Sequence, residues 1–326
     1  MRRVRSSLPR EAGALRPLRV AACQMGPAAP SLDANAQRIL RLLDEAAGLG
    51  VRLAVLPELA LTPYFPLREP RAGEKDRLFC TPADPAVAAV RAASRRLGIS
   101  VVLPCAERDG EHRYNAAFVV DADGQLAGVY RKMHLPVPVR FGPGAGAVFE
   151  ILWFDNGDLG FPTFRLAWGC LGVQICYDRH FFEGFRSLAL GGAEVIALGS
   201  SSPTYGEAAA WRSETWDLLC RVRARENALF LIAAARAGRE EDVRWVGRSC
   251  VIGPDGSVLS RALTDGDEGV FAEIDLASLR KMRQTLTYLA ARRAGTYGDL
   301  VSAPDRSCAE KSSMTPIRGL GADAVE

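Results

Sequence analysis

Short apolar runs, long enough for a strand and too short for a buried helix, recur along this chain and alternate with helical stretches. Leu18–Met25, "LAVLPEL", "ISVVLPCAER", "AEVIALGSSS" and "LFLIAAARAG" are the clearest of them. Runs of that length bounded by turn residues read as buried strands. Between them lie stretches with apolar residues at helical spacing. "SLDANAQRILRLLDEAAGLG" has Ser31 as its N-cap and Gly48 and Gly50 near its end; Asp84–Gly98, Phe181–Leu190 and Glu207–Asn227 are the others. Two further segments, "YNAAFVVDADGQLAGVYRKMH" around Asp123-Gly124 and "SCVIGPDGSVLSRAL", have the form of β-hairpins. A chain that mixes strand–helix units with hairpins, with no break in composition, is expected to fold as one α/β domain, here from about residue 18 to 300. Hydrophobic residues make up 48% of the 326, enough for a large core and too many for a disordered chain.

Charge and cysteine usage narrow the function classes. The net charge is +3, but residues 1–17 hold five arginines against one glutamate, +4, which leaves −1 on the remainder. Such a balance implies no basic surface, and nucleic-acid binding loses its main warrant. The Arg-rich extension 1–17 lacks the apolar segment of a secretory signal, and no apolar run approaches the roughly 18 residues of a membrane span. The eight cysteines are scattered, with no CxxC pair and no Cys/His spacing for zinc. They read as reduced thiols of a cytoplasmic protein, with no metal or other cofactor implied. Residues 136–163, rich in Pro and Gly, make a long irregular segment of the kind that carries function in compact domains. The tail 301–326 is small and polar, either unstructured or an arm against a neighbouring subunit.

Three strand ends hold groups that fit one chemical scheme. Cys176 stands where "GVQI" ends and a helix begins, a turn from which a side chain can project at the carboxyl edge of a sheet. Glu58 closes "LAVLPEL", and Lys132 ends the first hairpin just before the long loop. Each has an ordinary reading too: a small buried hydrophobe, a capping or salt-bridged glutamate, a solvated lysine. A thiol attacks only as thiolate, which a nearby cation favours and a base creates, and the tetrahedral species that follows needs its oxyanion held. Glu58 as base, Lys132 as cation and Cys176 as nucleophile would supply these parts. His134 and His180 lie beside the same motifs, so a Cys–His arrangement is the competing reading.

"LPELALTPY" around Glu58, "YRKMHLP" around Lys132 and "ICYDRHFFEGFRSLALGGAEV" around Cys176 resemble, in order, the three motifs of the carbon–nitrogen hydrolase (nitrilase) superfamily, over about residues 18 to 275. The resemblance implies a four-layer α-β-β-α sandwich, a Glu58–Lys132–Cys176 triad, and a homodimer or higher homo-oligomer formed by stacking sandwiches. It also implies a second glutamate, matched here by Glu150 in "FEILWFDNGDLGF", that holds Lys132 and helps orient substrate. "CYDRHFFE" is similar to the N-carbamoyl amidohydrolases, in which an arginine at the position of Arg179 grips a substrate carboxylate. Tyr177, Arg179 and His180 are the candidate substrate contacts, with Tyr177 giving its backbone N–H to the oxyanion. The other reading of Arg179 is a structural pair with Asp178 or Glu183. The chain departs from the family pattern at Phe182, Ile151 and Ala235, and in the glycine-rich run "VPVRFGPGAGAVFE".

The expected function is hydrolysis of a non-peptide C–N bond in a small amide or ureide. An N-carbamoyl amino acid or amine is favoured, giving ammonia, CO2 and the free amine, with no nucleic-acid or membrane partner. Two alternatives stand beside it: an aliphatic amidase or amide-forming acyltransferase on the same thioester chemistry, and a non-catalytic scaffold.

Overall fold

The computed structural model describes residues 17–137, 147–204, 208–240 and 242–302. The Arg-rich extension, the tail beyond Ser302 and most of the glycine-rich run lie outside the described residues. In chain order the elements are β1 (Leu18–Gln24), α1 (Leu32–Gly48), β2 (Leu53–Val55), α2 (Glu74–Leu78), α3 (Pro85–Leu97), β3 (Ser100–Asp109), β4 (His112–Val120), β5 (Leu126–Arg131) and α4 (Glu150–Trp153). They continue as β6 (Thr163–Leu166), β7 (Gly169–Ile175), α5 (Phe182–Leu190), β8 (Val195–Ser200), β9 (Pro203–Thr204), α6 (Ala208–Asn227) and β10 (Phe230–Ala235). The last are β11 (Arg239–Glu240), β12 (Val243–Trp245), β13 (Cys250–Ile252), β14 (Val258–Arg261), β15 (Glu268–Ile274) and α7 (Leu276–Thr285).

Two six-stranded mixed sheets result, ordered β15-β1-β2-β3-β4-β5 and β14-β13-β10-β8-β7-β6. Within each, three neighbouring strands run parallel and antiparallel strands flank them. The parallel strands are joined by helical crossovers, as parallel pairing requires. Alternation along single strands builds the layers. In β1, Val20 and Ala22 turn inward onto Val173, Ile175, Val195 and Ile232 of the facing sheet. Ala21 and Cys23 turn outward onto Ile39 and Leu43 of α1 and Val87 and Val90 of α3. The second sheet repeats the pattern, sending Ile196, Leu198 and Leu231 outward against Phe185 and Leu188 of α5 and Trp216 and Cys220 of α6. The layers are therefore helix, sheet, sheet, helix. The Ser31 hydroxyl caps α1 by accepting from the Ala34 N–H at 3.2 Å.

Two details of the strands position the site. The run "LAVLPEL" keeps strand form only over Leu53–Val55. Leu56 N–H still donates to Val102 C=O at 3.1 Å, but Pro57 has no N–H to continue the ladder. Glu58 therefore stands in a turn beyond the strand, not at its last residue. The next residue, Leu59, has φ 51°. At Gly199 on β8 the two sheets meet closely. A Cβ there would lie 2.7 Å from Pro104 Cγ, 2.8 Å from the Leu56 carbonyl oxygen and 3.2 Å from Glu58 N. Gly199→Ala is expected to cost about 1–3 kcal/mol through overpacking and to weaken activity by displacing Glu58. Thermal unfolding beside turnover measures both; an unchanged midpoint would mean the sheets part there at no cost.

Candidate active site

Cys176 has φ 44°, a left-handed conformation that costs a non-glycine residue on the order of 1–3 kcal/mol. It opens a 3-10 turn running to His180, directly after β7. The buried carboxylate of Asp178 holds this turn in place. Asp178 Oδ2 accepts from Ile175 N at 2.9 Å and from Tyr130 Oη at 2.7 Å, and Oδ1 accepts from His134 N at 3.1 Å. Tyr130 and His134 belong to the other sheet's side of the site, so Asp178 stitches the two sheets together at the turn.

Lys132 continues the β4–β5 ladder by one bond, its N–H donating to Asn115 C=O at 2.8 Å. Its fully buried ammonium donates to Glu58 Oε1 at 2.7 Å and to Glu150 Oε1 and Oε2 at 2.8 and 2.7 Å. Glu150 is set by α4, which is pinned to the loop after β2: Trp153 Nε1 donates to Arg68 C=O at 2.7 Å and its ring lies 4.5 Å from Phe65. The Tyr64 hydroxyl gives Glu150 Oε1 a further bond of 2.5 Å. Glu58 is wholly enclosed. Its Oε1 also accepts from Asn115 Nδ2 at 2.8 Å and its Oε2 from Ser201 N at 2.9 Å.

The electrostatics follow from two carboxylates and one ammonium in a dry cluster. Burial works against the Lys132 charge, but Glu150 and Glu58 outweigh it and hold the amine protonated far above the ordinary lysine range. Burial and the negative field of Glu58 raise the Glu150 carboxyl, against the pull of Lys132. The Cys176 thiol is also raised, by burial first and Glu58 next, with Lys132 and Arg179 opposing. The cations favour the thiolate, as expected, without outweighing burial and the carboxylates. A thiol raised in this way could act as a nucleophile only with a base to take its proton when substrate arrives.

Cys176 and Glu150 line a cavity of about 340 Å³, together with Tyr64, Tyr177, Arg179, His180, Ser202 and Trp211. The structure thus brings Glu58, Lys132, Glu150 and Cys176 into one group and sets Tyr177, Arg179 and His180 on the wall beside it. Arg179 pairs with neither Asp178 nor Glu183. Its Nη1 donates to the Cys176 carbonyl at 2.7 Å and reaches Sγ at 3.4 Å, and its Nε has no partner among the described residues. The two histidines are otherwise engaged. His134 Nδ1 is 2.8 Å from Asp178 Oδ1 and its ring stacks on Phe181 at 3.7 Å. His180, exposed at the rim, has its pKa pushed down to about 3 by desolvation and by the charges of Arg179, Arg212 and Arg223. Among the described residues no group of His, Cys, Asp and Glu side chains is placed to hold a metal ion.

Sequence reasoning passed over Tyr64, Asn115, Asp178 as an anchor, and the serines of "GSSSP". Asn115 and Ser200 had a detectable signal, since a polar residue inside an apolar strand must find a partner. Arg236 is another such residue. Buried at the end of β10, it donates to the carbonyls of Leu59 and Thr62 at 3.1 and 2.8 Å and to Ser201 Oγ at 3.2 Å. Ser201 Oγ in turn donates to the Glu58 carbonyl at 2.8 Å, so Arg236 fixes the turn that carries Glu58.

The carbon–nitrogen hydrolase family model matches residues 19–284. A nitrilase of Pyrococcus abyssi is 34% identical over 268 residues, 82% of this chain and 93% of that protein. An N-carbamoylputrescine amidase of Arabidopsis thaliana is 28% identical over 283 residues, covering 83% of this chain and 91% of that one. Among solved structures, a carbon–nitrogen hydrolase from Helicobacter pylori superposes with a TM-score of 0.77 at 28% identity, over 89% of this chain and 99% of the other.

Proposed function

The chain belongs to the carbon–nitrogen hydrolase family, and from that premise we propose that Cys176, Glu58, Lys132 and Glu150 are its catalytic group and an N-carbamoyl amino acid its substrate. Cys176 Sγ attacks the ureido carbon while its proton passes to Glu58. Lys132 and the backbone N–H of Tyr177 hold the oxyanion. Two of the three Lys132 contacts go to a single carboxylate, Glu150, which Tyr64 also holds. One ammonium N–H can therefore turn to the oxyanion without releasing Glu150. The C–N bond then breaks, ammonia leaves with the proton from Glu58, and the sulfur keeps the carbamoyl group. Glu58 next takes a proton from water, the hydroxide releases the N-substituted carbamic acid from sulfur, and that acid decomposes to CO2 and the free amine.

The observation that carries the substrate reading is Arg179. Its side chain is buried at the cavity wall with 8% exposure, and among the described residues no carboxylate pairs with it. Buried guanidinium groups ordinarily have an anionic partner, and a carboxylated substrate supplies one. The charge-assisted bidentate bond is worth roughly 1.5–3 kcal/mol. Arg179→Lys is therefore expected to raise KM for a carboxylated ureide about 10- to 100-fold. Because Arg179 also holds the Cys176 carbonyl, kcat should fall for every substrate. The diagnostic is KM, which should stay near wild type for an uncharged ureide. Equal KM changes on both substrates would make Arg179 purely structural. A wild-type preference for a ureide ending in an amine, as in the substrate named for the Arabidopsis relative, would also overturn the acidic reading.

Ammonia release from carbamoyl amino acids, ureas, amides and nitriles ranks the substrate classes. Preference for plain amides, or transfer of the acyl group to an amine, would replace hydrolysis of ureides. Neither ammonia nor a Cys176 adduct in intact-mass spectra with any of them would favour the scaffold reading.

A further inference from the structure

The Cys176 sulfur does not face the cavity alone. Ser200, the last residue of β8, points its hydroxyl at Sγ from 3.4 Å, and the Ser202 hydroxyl lies 3.6 Å away. The two hydroxyls are 3.0 Å from each other, which closes a triangle of three polar hydrogens and three acceptors. Ser200 is fully buried and Ser202 is 3% exposed. Among the described residues neither hydroxyl has a hydrogen-bond partner outside this triangle. Hydroxyl hydrogens rotate to suit their surroundings. While sulfur is a thiol, the three groups can donate around the ring in one direction, each giving one bond and taking one. Once sulfur has lost its proton it can only accept, and both hydroxyls can then turn toward it.

We propose that Ser200 and Ser202 form a reorienting hydroxyl pair that holds the Cys176 sulfur in its thiolate form, with Arg179 Nη1 as the third donor. The proposal rests on Cys176 being the nucleophile and adds to that reading the means by which a buried sulfur becomes an anion. The need is real in this setting. The titratable and charged groups facing Sγ are Glu58 after β2, Tyr64 in the loop beyond it, Lys132 after β5, Glu150 on α4 and Arg179 on the turn itself. Burial together with the two carboxylates outweighs the two cations at rest. Hydrogen bonds to an ionised acceptor are stronger than those between neutral groups, so the serines stabilise the thiolate more than the thiol. Because Ser202 also lines the cavity, its hydroxyl is in a position to follow the sulfur as it attacks.

The test reads the sulfur directly. Iodoacetamide alkylation of the wild-type chain is followed against pH, with Cys176 quantified by peptide mapping and ammonia release measured in parallel. In the double variant Ser200→Ala/Ser202→Ala the midpoint of Cys176 alkylation should rise by about one pH unit, a roughly tenfold smaller thiolate fraction below the midpoint. kcat/KM should fall with it, each single variant giving part of the loss. Ser202→Thr, which keeps the hydroxyl, should restore the wild-type midpoint. Thermal unfolding of each variant confirms that the fold is retained. A wild-type alkylation profile in the double variant would overturn the proposal, as would Ser202→Thr shifting the midpoint as far as Ser202→Ala does. If alkylating Cys176 leaves ammonia release intact, the nucleophile reading itself fails, and that result is distinguishable from the other two.

Discussion

Glu58→Gln is expected to fold and to lose turnover by 10²–10⁴-fold or more, since general base catalysis contributes on that order and burial raises the Cys176 thiol. The substitution is not silent for stability. Glu58 Oε1 receives the Lys132 ammonium and Asn115 Nδ2, and Oε2 receives the Ser201 N–H. Whichever way the amide of Gln turns, its NH2 meets a donor, a mismatch worth about 1–3 kcal/mol. Turnover should therefore be measured well below the thermal midpoint, where the variant is folded. His134→Ala and His180→Ala are the comparison and should keep substantial activity. His134 is bound to Asp178, and His180 is held as a neutral ring at the rim. An inactive His180→Ala beside an active Glu58→Gln would replace this scheme with a Cys–His one.

Lys132→Met is expected to abolish measurable turnover and, unlike a surface lysine change, to destabilise the protein. Met fills much of the same volume but leaves Glu58 and Glu150 enclosed without their cation. Removing one partner of a buried ion pair costs about 3–5 kcal/mol. The cost carries a pH signature. Without Lys132 only the neutral donors Tyr64 and Asn115 oppose burial and the repulsion of Glu58 at Glu150, so this carboxyl takes up a proton in the folded state more readily than in the unfolded chain. A folded pKa raised above the unfolded value of about 4.3 gives stability that is fully present below that pH and lost as pH rises through the folded value. Thermal midpoints of variant and wild type should therefore converge in acid and separate toward neutral pH. Parallel midpoints across that range together with wild-type turnover would make Lys132 an ordinary lysine.

The sequence announced the strands that are apolar throughout and the helices with clean ends, because burial on both faces and caps such as Ser31 leave local marks. It was less informative where long-range pairing decides. β15 has only a weak inward pattern and is made a strand by the full length of β1 alongside it. "LAVLPEL" looked longer as a strand than Pro57 allows. In the site, Glu58, Lys132 and Cys176 were visible as chemistry-bearing residues at strand ends, and Glu150 through the family resemblance. Their mutual distances were not visible, since Glu58 and Lys132 are 74 residues apart in the chain. Ser200, Ser202 and Asn115 were harder still. A serine or asparagine in an apolar run says that a partner exists, without saying that the partner is the nucleophile or its base.

Asp178 accepts bonds from the strand that leads into Cys176 and, on its other side, from Tyr130 and His134 of the opposite sheet. Glu58 and Lys132 stand on one sheet, Cys176, Arg179 and the serines on the other, with Glu150 on the connection between. Neither sheet owns a working centre. A slip of one sheet against the other by a single residue, about 3.3 Å along a strand, would leave every internal ladder intact and still part the thiol from its base. The buried aspartate resists this slip together with the bonds from Ser201 and Arg236 to the turn that carries Glu58. Under the proposed mechanism, turnover is thus a gauge of how two halves mate.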